Sequence, residues 1–280
     1  MTAIRGRGAP ASRAAAAGLV ACLAAPATAQ EAIWMPAATQ PSPGQWIATE
    51  KARYYRFETD AANDVRSIMA LETTVAYGIV SRVSVQADLP AYWKDAGTPG
   101  RTTVGIGDLT LALKLRVLQE DLGPVDTVRA AIFGGVELPT GTDDFGSSST
   151  DPFVGGVFTG IFGRHGLNAA ARWTFVTGQA FDPVFAGDAG SDLLDFNASY
   201  VHRLLPETYT EVHEPALYAV LDLDGTWETN GDLEMFLAPG LLWEAQRAAL
   251  EFSVGFPIAQ SVENRPRGEW RVNFGVRLLF

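Results

Sequence analysis

Residues Glu269 to Phe280 read EWRVNFGVRLLF. Trp270, Val272, Phe274, Val276, Leu278 and Phe280 fall on even positions, and Arg271, Asn273, Gly275, Arg277 and Leu279 on odd ones. Successive side chains leave opposite faces of a pleated strand, so strict alternation at period two predicts a strand. One face is wholly apolar; the other carries two arginines and an asparagine. A soluble sandwich would bury the apolar face in a core. A transmembrane barrel would turn it to lipid and keep the arginines in a wet lumen. The rest of the chain decides between them.

Eleven further segments from Gln45 onward read as strands: about 45–58, 66–77, 82–92, 104–118, 126–138, 152–162, 167–177, 192–203, 216–226, 232–243 and 249–258. In the clearest, Leu109, Leu111, Leu113, Leu115 and Val117 share a face opposite Asp108, Thr110, Lys114 and Arg116. The least clear is the first, where Arg53-Tyr54-Tyr55-Arg56-Phe57 has strand-forming residues but no clean face. The count is even, as a barrel with both chain ends on one side requires. Strands of about 10–13 residues, at roughly 3.3 Å per residue and a tilt near 40°, span about 25–30 Å, the height of an outer-membrane apolar band. Sandwich strands are usually half as long.

Connections after the third, fifth, seventh and eleventh strands are long and polar, while those after the second, sixth and tenth are short. This is the pattern of long outside loops and short periplasmic turns. The long stretch 204–215 and the short one at 227–231 depart from it. Charges repeated opposite the leucines cannot sit in a dry core, because each unpaired buried charge costs several kcal/mol. A closed barrel satisfies both faces. Tyr77, Tyr92, Trp173, Trp243 and Trp270, near strand ends, suit interfacial girdles. The expected fold is therefore all-β: a closed antiparallel transmembrane β-barrel of about twelve strands in an up-and-down meander, over residues 45–280.

Residues 1–29 read as a signal peptide, with Arg5, Arg7 and Arg13 ahead of the small apolar run Ala14 to Ala25 and the A-x-A site Ala27-Thr28-Ala29. Cleavage near Ala29 would send the chain to the bacterial outer membrane. Leu19-Val20-Ala21-Cys22 also fits a lipoprotein signal, with Cys22 acylated. Residues 30–44, with three prolines and no period, read as a short periplasmic lead-in. Losing three arginines takes the formal charge from −11 to −14. So acidic a chain argues against a nucleic-acid partner. Cys22 is the single cysteine, so cleavage after Ala29 leaves no thiol or disulfide chemistry.

Val75-Ala76-Tyr77-Gly78, the run Gly107 to Lys114 (GDLTLALK) and the run Gly134 to Gly141 (GGVELPTG) resemble segments of the outer-membrane barrel transporter family labelled "MetA-pathway of phenol degradation". The resemblance covers roughly residues 50–280. It implies an outer-membrane channel admitting small, often aromatic or apolar, compounds, and it brings no catalytic residues. A terminal aromatic residue, here Phe280, resembles the signal by which the barrel-assembly machinery reads such chains.

No hydrolase signature emerges. His165, His202 and His213 are followed by Gly166-Leu167, Arg203-Leu204 and Glu214-Pro215, so none forms the His-x-Ser pair of outer-membrane phospholipases. The protein is expected not to be an enzyme and to need no cofactor or metal. Asp143 and Asp144, with Asp151 nearby, could bridge a divalent cation or lipopolysaccharide phosphate, or form a solvated loop.

The remaining constellation is the inward face. Lys114, Arg116, Arg129, Arg172, Arg203, Arg271 and Arg277 share it with Glu72, Asp88, Asp108, Glu137, Asp195, Asp222, Asp224, Glu234 and Glu251. These residues could form charge rings that filter a small solute, or an ion-paired network that fills a narrow lumen. Three further classes stay open: a structural or adhesive barrel, a surface hydrolase using one of Ser147 to Ser149, and a secreted soluble β protein. Expected partners are outer-membrane lipid, lipopolysaccharide, the assembly machinery and a small-molecule solute.

Overall fold

The computed structural model describes residues 32–59, 65–96, 102–142, 145–178, 190–211 and 214–280. The signal-peptide reading, Asp143, Asp144 and His213 lie outside them. Thirteen strand segments follow one another: β1 Trp46–Phe57, β2 Val65–Val80, β3 Val83–Ala96, β4 Thr102–Ile106, β5 Leu109–Asp121, β6 Thr127–Leu138, β7 Asp151–Phe162, β8 His165–Thr174, β9 Leu193–Leu205, β10 Ala216–Glu228, β11 Leu233–Glu244, β12 Ala248–Ser261 and β13 Gly268–Leu279. Sequence neighbours pair antiparallel throughout, except that β4 and β5 both pair with β3 and not with each other, and β1 also pairs with β13, which closes the sheet. Closure leaves the side of β4 that faces away from β3 as the one unpaired edge among the described strands.

β4 and β5 are two halves of one stave. Residues 91–95 of β3 pair with β4, and residues 83–88 with β5. The barrel therefore has twelve staves. The interruption falls at Gly107 and Asp108, where the Gly107 amide donates to the Pro90 carbonyl at 2.8 Å.

The alternation read from the sequence is the alternation of the wall. On β5, Leu111, Leu113, Leu115 and Val117 are exposed, while Ala112 and Lys114 between them are half-buried. On β13, Phe274 and Leu278 point out; Arg271 and Asn273 are buried. Exposed apolar side chains recur on the outer face of stave after stave, forming a continuous patch far larger than water-facing proteins carry.

Aromatic pairs lie at the rims of this surface: Trp46 with Tyr77 at 4.5 Å, Tyr54 with Trp270 at 5.2 Å, and Trp173 with Trp227 at 6.1 Å. Tyr92 is a correction to the expected girdle. It has the inward parity of β3, is buried, and stacks on Phe145. The poor face of β1 has a related cause. Near the loop-bearing end both faces carry bulky groups: Arg56 bonds Glu269 outside, and Arg53 and Tyr55 point inside.

The long stretch on the short-turn end also has a physical reason. In the connection 206–215, the Tyr209 hydroxyl meets that of buried Tyr218 at 2.9 Å, and the Arg203 guanidinium lies 4.2 Å from the Tyr209 ring. The extra residues carry a side chain into that mouth of the barrel. Thr210 donates from its amide and its hydroxyl to Glu214, which holds that carboxyl below the usual glutamate range. At the opposite end the short turn 229–232 is tied to its neighbour, because Asp232 accepts from the amides of Glu263 and Asn264 at 2.9 Å each.

Candidate functional site: the barrel lumen

The interior is polar, and its charges are matched locally. Lys51 pairs with Glu251 at 3.0 Å, Arg53 with Glu72 at 3.0 Å, Arg172 with Asp195 at 2.7 Å and Arg265 with Glu228 at 3.0 Å; Arg271 bonds Asp224. Strand register produces one of these contacts directly and brings Arg53 and Glu72 close on adjacent strands, while Lys51–Glu251 and Arg271–Asp224 join strands that do not pair. Arg172 and Asp195 are direct partners across β8 and β9. A buried pair adds little net stability over an apolar pair, but each partner strands the other if removed. The network therefore fixes the positions of the charges that line the lumen.

Residues 32–43, expected as a lead-in, lie inside the barrel. Ile33, Trp34, Ala37 and Ala38 are buried. The Ile33 and Trp34 amides donate to Asp222 at 3.0 and 3.3 Å, and the Trp34 indole donates to the Ser253 hydroxyl at 3.0 Å. Lys51 donates to the Ile33 carbonyl, the Ala38 amide to the Thr159 hydroxyl at 3.1 Å, and Lys114 to the Ala37 carbonyl at 3.1 Å. Arg271 lies 3.9 Å from the Trp34 ring and 4.2 Å from the Phe236 ring, and Arg53 lies 4.9 Å from Trp34 on its own account.

The difference from the expected lead-in follows from the backbone. Pro36, Pro41 and Pro43 lack amide hydrogens, which thins the donors a sheet ladder would use; Pro43 makes only an isolated bridge, to Gly78, and the segment has no strand period to read. Its remaining backbone groups still need partners. Barrel side chains supply them.

Beside this segment runs a cavity of about 420 Å³. Its lining reaches from Ile47, Thr49 and Arg277, near the chain ends, to Phe57 and Arg265, near the long loops. Twelve of the sixteen inward charges expected from the sequence border it: Glu72, Asp88, Asp108, Lys114, Glu137, Arg172, Asp195, Asp224, Glu234, Glu251, Arg271 and Arg277. The other four sit elsewhere. Asp222 lies under residues 33 and 34; Arg129 bonds Thr127 and reaches Asp121 at 3.7 Å; Arg116 bonds the Ser81 carbonyl; Arg203 is covered by Tyr209. Sequence reasoning did not find much of the aromatic lining, including Trp34, Tyr55, Tyr92, Phe145 and Phe153. Only parity relative to a correct register marks Tyr55, Tyr92 and Phe153 as inward, and Trp34 and Phe145, outside the strands, have no parity to read.

Among the described residues the Ser147 and Ser149 hydroxyls bond carboxylates and not a histidine. Ser147 bonds Asp108 at 2.7 Å and Ser149 bonds Asp151 at 2.9 Å. His165 and His202 lie at the other end, on the outer wall, with the His165 Nδ1 2.7 Å from the Tyr200 hydroxyl. Among the described residues no group of three or more His, Cys, Asp and Glu is placed to hold a metal ion.

The fold and interior together define a class: a closed antiparallel barrel with an apolar exterior and a charged, partly filled lumen. No family model and no curated protein matches the sequence. Among solved structures, an outer membrane channel from Pseudomonas putida F1 is similar at a TM-score of 0.58, with 13% identity, over 89% of this chain and 100% of that one. The β domain of the Bordetella autotransporter BrkA is similar at a TM-score of 0.46, with 14% identity, over 85% of this chain and 100% of that one. At such identities the first likeness is one of fold.

Proposed function

We propose that this chain is an outer-membrane barrel whose lumen passes small solutes by passive diffusion. The observation that carries this reading is the cavity itself, which has charged and aromatic lining along most of the strand length inside a wall that is apolar outside. Water is the only medium that suits the first surface, and hydrocarbon the medium that suits the second. The aromatic lining supports the solute class implied by the family resemblance, small aromatic or apolar compounds. Delivery to the outer membrane rests on the signal-peptide reading. Phe280 supports assembly-machinery recognition: its backbone is paired to Trp46 at 2.9 and 3.1 Å while its side chain is exposed.

A second reading, a non-transporting structural barrel, draws on one observation: residues 32–43 and the ion pairs occupy much of the lumen. Liposome uptake separates the two. Vesicles containing the mature protein are expected to swell in small neutral solutes and to exclude larger sugars. Vesicles that stay as tight as protein-free ones would favour the structural barrel.

A further inference from the structure

We propose that Asp108 is a latch that holds Phe145 across the loop-end mouth, so that the Phe145–Tyr92 pair, rather than the barrel wall, sets the largest solute admitted. This rests on the channel reading and adds a size-determining element to it. The carboxylate of Asp108 is buried at the break between β4 and β5. It accepts four hydrogen bonds: from the amides of Thr140, Gly141 and Ser147 at 2.9, 2.7 and 2.6 Å, and from the Ser147 hydroxyl at 2.7 Å. These donors flank Phe145 on both sides in sequence, so one side chain gathers the two arms of the loop. Donors aimed at an ionised acceptor make the stronger kind of hydrogen bond.

Two glycines make room for this closure. A Cβ on Gly141 would stand 2.7 Å from the Gly146 Cα and 3.0 Å from the Asp108 Oδ1, so the arms meet only where a side chain is absent. A Cβ on Gly105 would collide with the Phe145 ring. Phe145 is thereby pressed inward, is buried, and stacks on Tyr92 at 5.7 Å with planes 12° apart. Both rings and Asp108 line the cavity. The loop also covers the edge of β4 that faces away from β3, through the Thr142 amide donating to the Ile106 carbonyl at 2.8 Å. The stave is broken at Gly107 and Asp108, and the break places a carboxylate where it can organise a loop.

The test compares wild type, Asp108→Ala and Phe145→Ala in two measurements. In vesicle swelling, both variants should admit sugars that wild type excludes. In amide exchange, Thr142, Phe145 and Gly146 donate to backbone carbonyls and not to Asp108. Their exchange in Asp108→Ala should still rise by about ten-fold or more if the loop is released. A conducting wild type whose solute limit is unchanged in both variants overturns the filter and leaves the channel standing. Vesicles tight for all three proteins count against the channel. Exchange unchanged at those three amides overturns the latch whatever the conductance.

Discussion

Replacing Trp34 with alanine is expected to raise the conductance of the path that runs beside residues 32–43. The indole fills the space between β1, β12 and β13. It donates to Ser253 and faces the guanidinium groups of Arg53 and Arg271. Truncating a buried tryptophan costs about 3–5 kcal/mol, and each lost cation–π contact adds about 0.5–2 kcal/mol. These contacts belong to the docking of residues 32–43 and not to the sheet ladder. The docked arrangement should therefore weaken by roughly a hundred-fold or more while the strands stay paired. Planar-bilayer recordings should show a larger and noisier conductance for Trp34→Ala at an unchanged unfolding temperature. A conductance equal to wild type would mean that the segment does not restrict the path.

The second large effect is expected at Arg271. Its guanidinium bonds Asp224 and lies between the Trp34 and Phe236 rings. Alanine here leaves the Asp224 carboxylate without this cation, and removing one partner of a buried pair costs about 3–5 kcal/mol. Arg271→Lys keeps the charge but loses the planar group that stacks on both rings, so it should fall between wild type and Arg271→Ala. Urea unfolding in lipid vesicles measures the order of the three. A loss below about 1 kcal/mol for Arg271→Ala, the size of an exposed pair, would show that water screens the site.

β5 and β13 were legible because each side chain answers to one requirement, lipid-like surroundings outside or water inside, and the two alternate from Leu111 to Leu115 on one and from Arg271 to Val276 on the other, until the register shift at Leu118 breaks the pattern of β5. β1 was harder to read because Tyr54 and Arg56 lie in the rim zone, where polar and aromatic groups share the outer face. Tyr92 was misplaced because strand-end position alone does not tell a girdle residue from one turned inward; its even parity, shared with Gln86 and Asp88, did. Residues 32–43 were legible only as a periodless lead-in, not as a segment inside the barrel. Their partners are single side chains, such as Asp222, Ser253 and Thr159, more than a hundred positions away, and no periodicity links them. Asp108 was legible as inward but not as the acceptor for a loop, since its donors are backbone amides that leave no trace in composition.

The account depends on which medium each face of the sheet meets. Flotation of the purified mature protein with lipid vesicles in detergent-free buffer tests it most directly. The folded, heat-modifiable form is predicted to rise wholly with the vesicles, leaving only unfolded or aggregated chain behind. A folded, monodisperse protein remaining in the lipid-free fraction would contradict it, because the exposed leucines and phenylalanines would then be at ease in water.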